Sequence, residues 1–166
     1  MLISGYKCFN CNLENRYGFK FEVGKNYNVL GNVKFGVNGN GFHMCKNMED
    51  TFRYFNTFMD DVRVCQVIGY GKIDSYDDEY NGFYEMYSVE SIYIFKELSR
   101  YEILQYALSL GEDRVCRFIQ LFKLNYDEIE LFKDKFSNNL RILNYIAYYQ
   151  EGDKLVFNNQ YVKKLL

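Results

Sequence analysis

The chain has no proline, no tryptophan and a single histidine among its 166 residues. Without proline no turn is preset by a locked φ, so turns fall to glycine, asparagine and aspartate. No stretch approaches the roughly 18 apolar residues of a membrane-spanning helix. The opening residues, Met1-Leu2-Ile3-Ser4-Gly5, carry neither a basic start nor a long apolar core, so no secretory signal is expected. Excess charge is missing too: the net charge is −2 and the sequence pI about 5.5. That argues against a general binder of phosphate backbones and against direct sequence-specific nucleic-acid binding. The five cysteines are odd in number and follow no signal, which points to reduced thiols and a cytoplasmic location.

What is present suits a folded chain. Hydrophobic residues make up 48%, enough for a core. Aromatics reach 19%, as 17 tyrosines and 15 phenylalanines. Tyrosine is amphipathic, so some of these rings can sit on a surface as contacts. A low-GC codon bias accounts for the same composition.

Periodicity predicts strands in the first half. Phe19, Phe21 and Val23 alternate within Gly18–Val23, and Gly24-Lys25-Asn26 reads as a turn. Short strands are expected at Tyr27–Leu30, Val33–Phe35 and Phe42–Cys45, with Gly36–Gly41 as a loop. Asn47 and Asp50 resemble a helix start, and Phe52, Phe55 and Met59 give it a stripe. Val62–Ile68 is β-branched and closes at Gly69-Tyr70-Gly71. Tyr84–Ser88 and Ile92–Phe95 follow as the last strands. Beyond Leu98 the period becomes helical. Ser99 with Glu102 and Asn125 with Glu128 read as capping boxes, and Gly111 as a stop. Asn138 or Asn139 starts a further helix with Leu140, Leu143 and Ala147 on one face. The expected fold is α+β: residues 1–98 form a mainly antiparallel sheet with one or two helices, and residues 99–166 form an all-α part packed on it.

The chemistry-bearing residues gather around Gly41-Phe42-His43-Met44-Cys45. His43 and Cys45 share one face of a strand, and Cys8-x-x-Cys11 lies upstream. Cys8, Cys11, His43 and Cys45 have the donor types of a tetrahedral zinc site, but the His-x-Cys spacing is unusual for zinc. The expectation is therefore no metal, with Cys45 a small buried hydrophobe and His43 a hydrogen-bonded ring. A Cys-His nucleophile pair has no evident orienting group. Gly36–Gly41 and Gly69-x-Gly71 lack the context of phosphate loops. Between Asp74 and Tyr87, carboxylates interleave with rings. Tyr76, Asp77, Asp78, Glu79, Tyr80 and Tyr84 are the candidate contacts for a partner with a basic surface.

The landmarks Gly5-Tyr6-Lys7-x-Phe9-Asn10, Gly18-Phe19-x-Phe21-Glu22-Val23-Gly24-Lys25-x-Tyr27, Gly41-Phe42-His43-x-Cys45, Phe52-Arg53-Tyr54-Phe55 and Gly69-Tyr70-Gly71-Lys72 give residues 5–98 a family likeness. They resemble a family of unknown function from low-GC bacteria and their phages. More distantly, the order of elements resembles the ADP-ribosyltransferase fold. That likeness implies catalytic positions at Tyr6, His43 and Glu90 around NAD, although Lys7 is the only base in the first motif. The expected function is a phage or mobile-element protein that binds, and by stoichiometric occupancy inhibits, a host protein or nucleoprotein complex such as a CRISPR-type defence complex, without a cofactor or a membrane. The alternative is an ADP-ribosyltransferase-like enzyme that uses NAD to modify a host target.

Overall fold

Strand β1 (Leu2–Asn10) alternates along its length. Gly5, Lys7 and Phe9 face one way, and Tyr6 and Cys8 the other. It runs antiparallel to β4 (Val62–Asp77) over its full extent, from Leu2 opposite Tyr70 to Asn10 opposite Val62. Strand β5 (Glu85–Glu97) pairs with β4 as the second arm of a long hairpin. On its other edge β5 holds β2 (Asn26–Asn28) and β3 (Phe42–Cys45). Strand β3 then returns to β1 through Tyr6 opposite Cys45. The pairings β1–β4, β4–β5, β5–β3 and β3–β1 thus close on themselves. Register shifts at Gln66/Val67 and Tyr70/Ile73 supply the bends that closure needs. The computed structural model describes residues 1–36, 39–77 and 85–151. The chain divides into two compact units, Met1–Arg100 and Tyr101–Leu166.

The interior of the first unit is small and tightly filled. Phe9, Phe21, Met44, Val67, Val89, Ile92 and Ile94 form its core. Full burial of such side chains stabilises by about 1.5–3 kcal/mol each. Met44 occupies the space left by two glycines. A Cβ at Gly5 would stand 2.7 Å from Met44 Cε and collide with the Cys45 carbonyl; one at Gly69 would stand 2.7 Å from Met44 Sδ. The glycines are needed for room on the inner face, not for turns. Helix α1 (Met48–Thr51) and a 3-10 turn over Phe52–Tyr54 follow β3.

The α+β class is as the sequence indicates, with an antiparallel sheet followed by helices. Several elements differ in detail. Gly18–Val23 is not a strand; Lys20 alone pairs, with Glu14. The Asn15 carboxamide oxygen takes the amides of Tyr17 and Phe19, and Gly18 and Gly24 both have φ 81°, so local turns outcompete the ladder. Val33–Phe35 is reduced to an isolated Lys34–Asn40 pairing. The helix after Asn47 ends early. Asn47 donates its amide to Asp50 instead of capping, Phe55 is extended, and Met59 is 81% exposed. The Asn56 side chain and carbonyl collect the amides of Phe58, Met59 and Asp60 in a turn. Strand β4 runs through Gly69 and Gly71 to Asp77, and the two expected last strands are one.

The second unit carries helices α2 (Arg100–Leu108), α3 (Glu112–Leu121), α4 (Tyr126–Lys135) and α5 (Leu140–Tyr145). A π turn over Ile146–Gln150 follows. Asn125 and Glu128 form the full capping box of α4, and Asn139 accepts the Ile142 amide at the start of α5. Gly111 lies at the N-cap of α3. Ile142 on α5 and Ile146 at the start of the π turn are buried, while Leu140 is 76% exposed. Phe118 stacks with Phe132, ring centroids 6.1 Å apart. No described helix is long and apolar enough to cross a membrane.

The packing of Met44 against Gly5 and Gly69 sets an expected outcome. Gly69→Ala should lower unfolding stability by about 1–3 kcal/mol, as overpacking does. Combined with Met44→Ala the loss should be smaller than the sum, because the truncated side chain frees part of the space, Val89 Cγ1 still standing 2.7 Å from the added Cβ. Urea denaturation of the four proteins checks this, and strict additivity would contradict the contact.

Candidate functional site

A cavity of about 410 Å³ opens beside β1 and β3 in the first unit. Strand β1 contributes Tyr6, Lys7 and Cys8, and β3 contributes Phe42 to Cys45. The segment after β1 brings Asn15, Arg16 and Tyr17; the glycine-rich loop brings Phe35; the 3-10 turn brings Tyr54. The volume falls within the usual range for small-molecule sites.

Two loops reach the cavity because their own side chains fold them. Asn10 takes the amides of Asn12 and Glu14 on its carboxamide oxygen, and Leu13 turns the chain at φ 59°. Arg16 then lies over the Tyr17 ring at 5.0 Å and bonds its hydroxyl. On the opposite side Asn40 donates to the Leu30 carbonyl, and its own carbonyl accepts from Ser88 Oγ at 3.1 Å. The Phe35 amide donates to Asp74 at 2.7 Å. The Phe35 ring stacks on His43 at 4.7 Å and on Tyr76 at 5.1 Å. Three rings from a loop and two strands therefore form one stack, joined through Phe35.

Lys7 is the central charge. Its ammonium donates to the His43 carbonyl at 2.6 Å and lies 5.7 Å from the Phe9 ring and 5.8 Å from the Phe21 ring. Burial lowers its pKa to about 8, against a smaller opposing pull from Cys45 and Cys8. Neither Lys7 nor Arg16 has a carboxylate partner among the described residues, and no carboxylate is among the described residues lining the cavity. Burial, then Lys7, then Arg16, hold the His43 imidazole below its ordinary pKa, so it is neutral near pH 7. Burial pushes Cys8 up and Cys45 up to about 12, so both are thiols rather than thiolates at neutral pH. Tyr54 is also raised by burial, to about 12.

The residues singled out from the sequence separate into groups. Tyr6 and His43 line the same cavity; Glu90 is not among its described lining residues. The Glu90 carboxylate accepts the Lys72 amide at 2.9 Å beside Gly71. Cys8 and Cys45 are buried and Cys11 is exposed. No group of three or more His, Cys, Asp or Glu able to hold a metal forms among the described residues. Of the acidic-aromatic candidates, Tyr76 is 44% exposed on β4 and Asp77 ends that strand, while Asp78, Glu79, Tyr80 and Tyr84 lie outside the described residues. Arg16, Phe35 and Tyr54 were not anticipated. Lys7 stood out only as the sole base of its motif, although a lysine between Gly5 and Phe9 on an inward strand face is itself a signal.

The family comparison fits the extent of this architecture. The model of a domain of unknown function, DUF7666, matches residues 3–106, spanning the closed sheet, the cavity and most of α2. No curated protein and no solved structure matches the chain. The chain belongs to the DUF7666 family.

Proposed function

We propose that the first unit binds a small anionic ligand carrying a flat ring, of the nucleotide class, in the cavity beside β1 and β3. The observation that carries this is the pair Lys7 and Arg16, two cations without a described carboxylate partner in a cavity walled by aromatic rings. Burying the Lys7 cation without a carboxylate is costly and an anionic ligand relieves that cost, while Arg16 is exposed and adds attraction at the cavity rim. Tyr54 and Tyr17 line the cavity as rings for stacking, while Phe35 is already stacked on His43 and Tyr76.

NAD, the cofactor of the ADP-ribosyltransferase alternative, belongs to the same ligand class. Tyr6 and His43 lining one cavity support that alternative, but Glu90 is engaged with the Lys72 amide. Binding without turnover is therefore the preferred reading. Calorimetric titration with ADP and with NAD should give saturable one-to-one binding that weakens as salt rises. Lys7→Met and Arg16→Ala should each weaken it about tenfold, roughly 1.4 kcal/mol. Failure of both nucleotides to bind, or full affinity in folded variants, would sink the proposal. Nicotinamide released from NAD would transfer it to the enzyme reading.

We further propose that the chain acts on a host complex by stoichiometric binding, as a phage or mobile-element protein directed against host defence. The supporting observation is Tyr76, exposed and held by its stack on Phe35 at the strand end that leads into the acidic-aromatic stretch. A tagged pulldown from host lysate should retain an unmodified partner near one-to-one, and Tyr76→Ala should reduce its recovery. A covalently modified host protein with no retained partner would contradict occupancy as the mode of action.

A further inference from the structure

We propose that Lys7 is an imine-forming amine that captures the aldehyde of an anionic aromatic ligand seated in the cavity. The inference rests on the ligand reading given above. Lys7 Nζ stands at the cavity wall, 5.7 Å and 5.8 Å from the Phe9 and Phe21 ring centroids; the rings attract an ammonium, but burial outweighs them. A desolvated lysine in such a setting is a nucleophile near neutral pH, unlike solvent-exposed lysines. Its lowered pKa, about 8, agrees with this. The described protein takes up one of its three hydrogen-bonding positions, through the His43 carbonyl at 2.6 Å. That bond fixes the amine at the wall of the cavity. Arg16, on the loop after β1, lines the same cavity and can receive the ligand's anionic group. The neutral His43 ring can accept or return a proton during the exchange.

The chemistry balances without an oxidant or reductant. The lone pair of the neutral amine attacks the aldehyde carbon, a C–N bond forms, and the π electrons of the carbonyl move to oxygen. The carbinolamine oxygen is protonated and leaves as water, while nitrogen sheds its proton to give the imine. Hydrolysis reverses each step, so the link is reversible.

The test uses pyridoxal 5′-phosphate as the probe, an aromatic aldehyde with a phosphate group. The full-length protein is treated with a sub-stoichiometric amount at pH 8, reduced with borohydride and mapped by peptide mass spectrometry. The expected result is a reduced adduct concentrated on Lys7, abolished by Lys7→Met and diminished by excess ADP. Arg16→Ala, which leaves the amine in place, should lower the yield at limiting probe. Adducts spread over other lysines with Lys7 unlabelled would overturn the inference, and so would Lys7 labelling no greater than that of exposed lysines. If ADP binds in calorimetry while Lys7 stays unlabelled, this inference alone fails. If Lys7 is labelled selectively but ADP neither binds nor protects, the nucleotide reading fails and the reactive amine stands.

Discussion

The hydrogen bond from Lys7 Nζ to the His43 carbonyl joins the two strands whose own pairing is thinnest. Strand β1 meets β4 in nine consecutive register pairs but meets β3 only at Tyr6 and Cys45. The lysine adds a second tie across that seam, from inside the closed sheet. It also places a cation against aromatic rings, where an amine loses water without gaining a described carboxylate. The seam, the cavity beside it and the charge in its wall therefore share one origin. A strand that turns Gly5, Lys7 and Phe9 inward must put an ammonium where the core would otherwise be apolar.

Protonation follows from the same burial. Lys7 binds its proton less tightly when folded, with a pKa of about 8 against an ordinary value of 10.5. Between those values the unfolded chain holds more protons, so this group makes stability rise with pH across that window. Cys45 and Cys65, raised from 9.0 to about 12, and Tyr54, raised from 10.0 to about 12, act oppositely. They keep their protons when folded, and their contribution is lost as pH climbs towards 12. The two effects overlap above pH 9, so the alkaline denaturation profile is a sum and does not isolate the lysine. Near pH 7 Lys7 is mostly charged, which suits attraction of an anion; near pH 8 half of it is a free amine.

Legibility in the sequence followed the range of the interactions. The capping box of Asn125 and Glu128, the Asn139 cap and the strand Phe42–Cys45 were readable, because neighbours within a few residues specify them. Gly18–Val23 alternates like a strand, yet Asn15 captures its amides and only Phe21 joins the core. The continuity of β4 through Gly69 and Gly71 depends on pairing with β5 on either side of a register shift, from Gly69 opposite Ile92 to Ile73 opposite Val89, which no local pattern shows. Across α5 and the π turn after it, the stripe of Leu140 and Leu143 competed with Ile142 and Ile146, and the isoleucines are buried. The cavity was half legible. His43 and Tyr6 were marked by their strands, whereas Arg16 and Phe35 arrive on loops shaped by asparagine side chains and glycine.

The most direct measurement is a titration of the Lys7 side chain itself, by NMR of lysines labelled at Cε and Nζ and assigned with Lys7→Met. A single resonance moving with a midpoint near pH 8, and shifting upward when ADP is added, is the result predicted for a cation that an anionic ligand compensates. A Lys7 midpoint at about 10.4, indistinguishable from exposed lysines and unmoved by nucleotide, would contradict it.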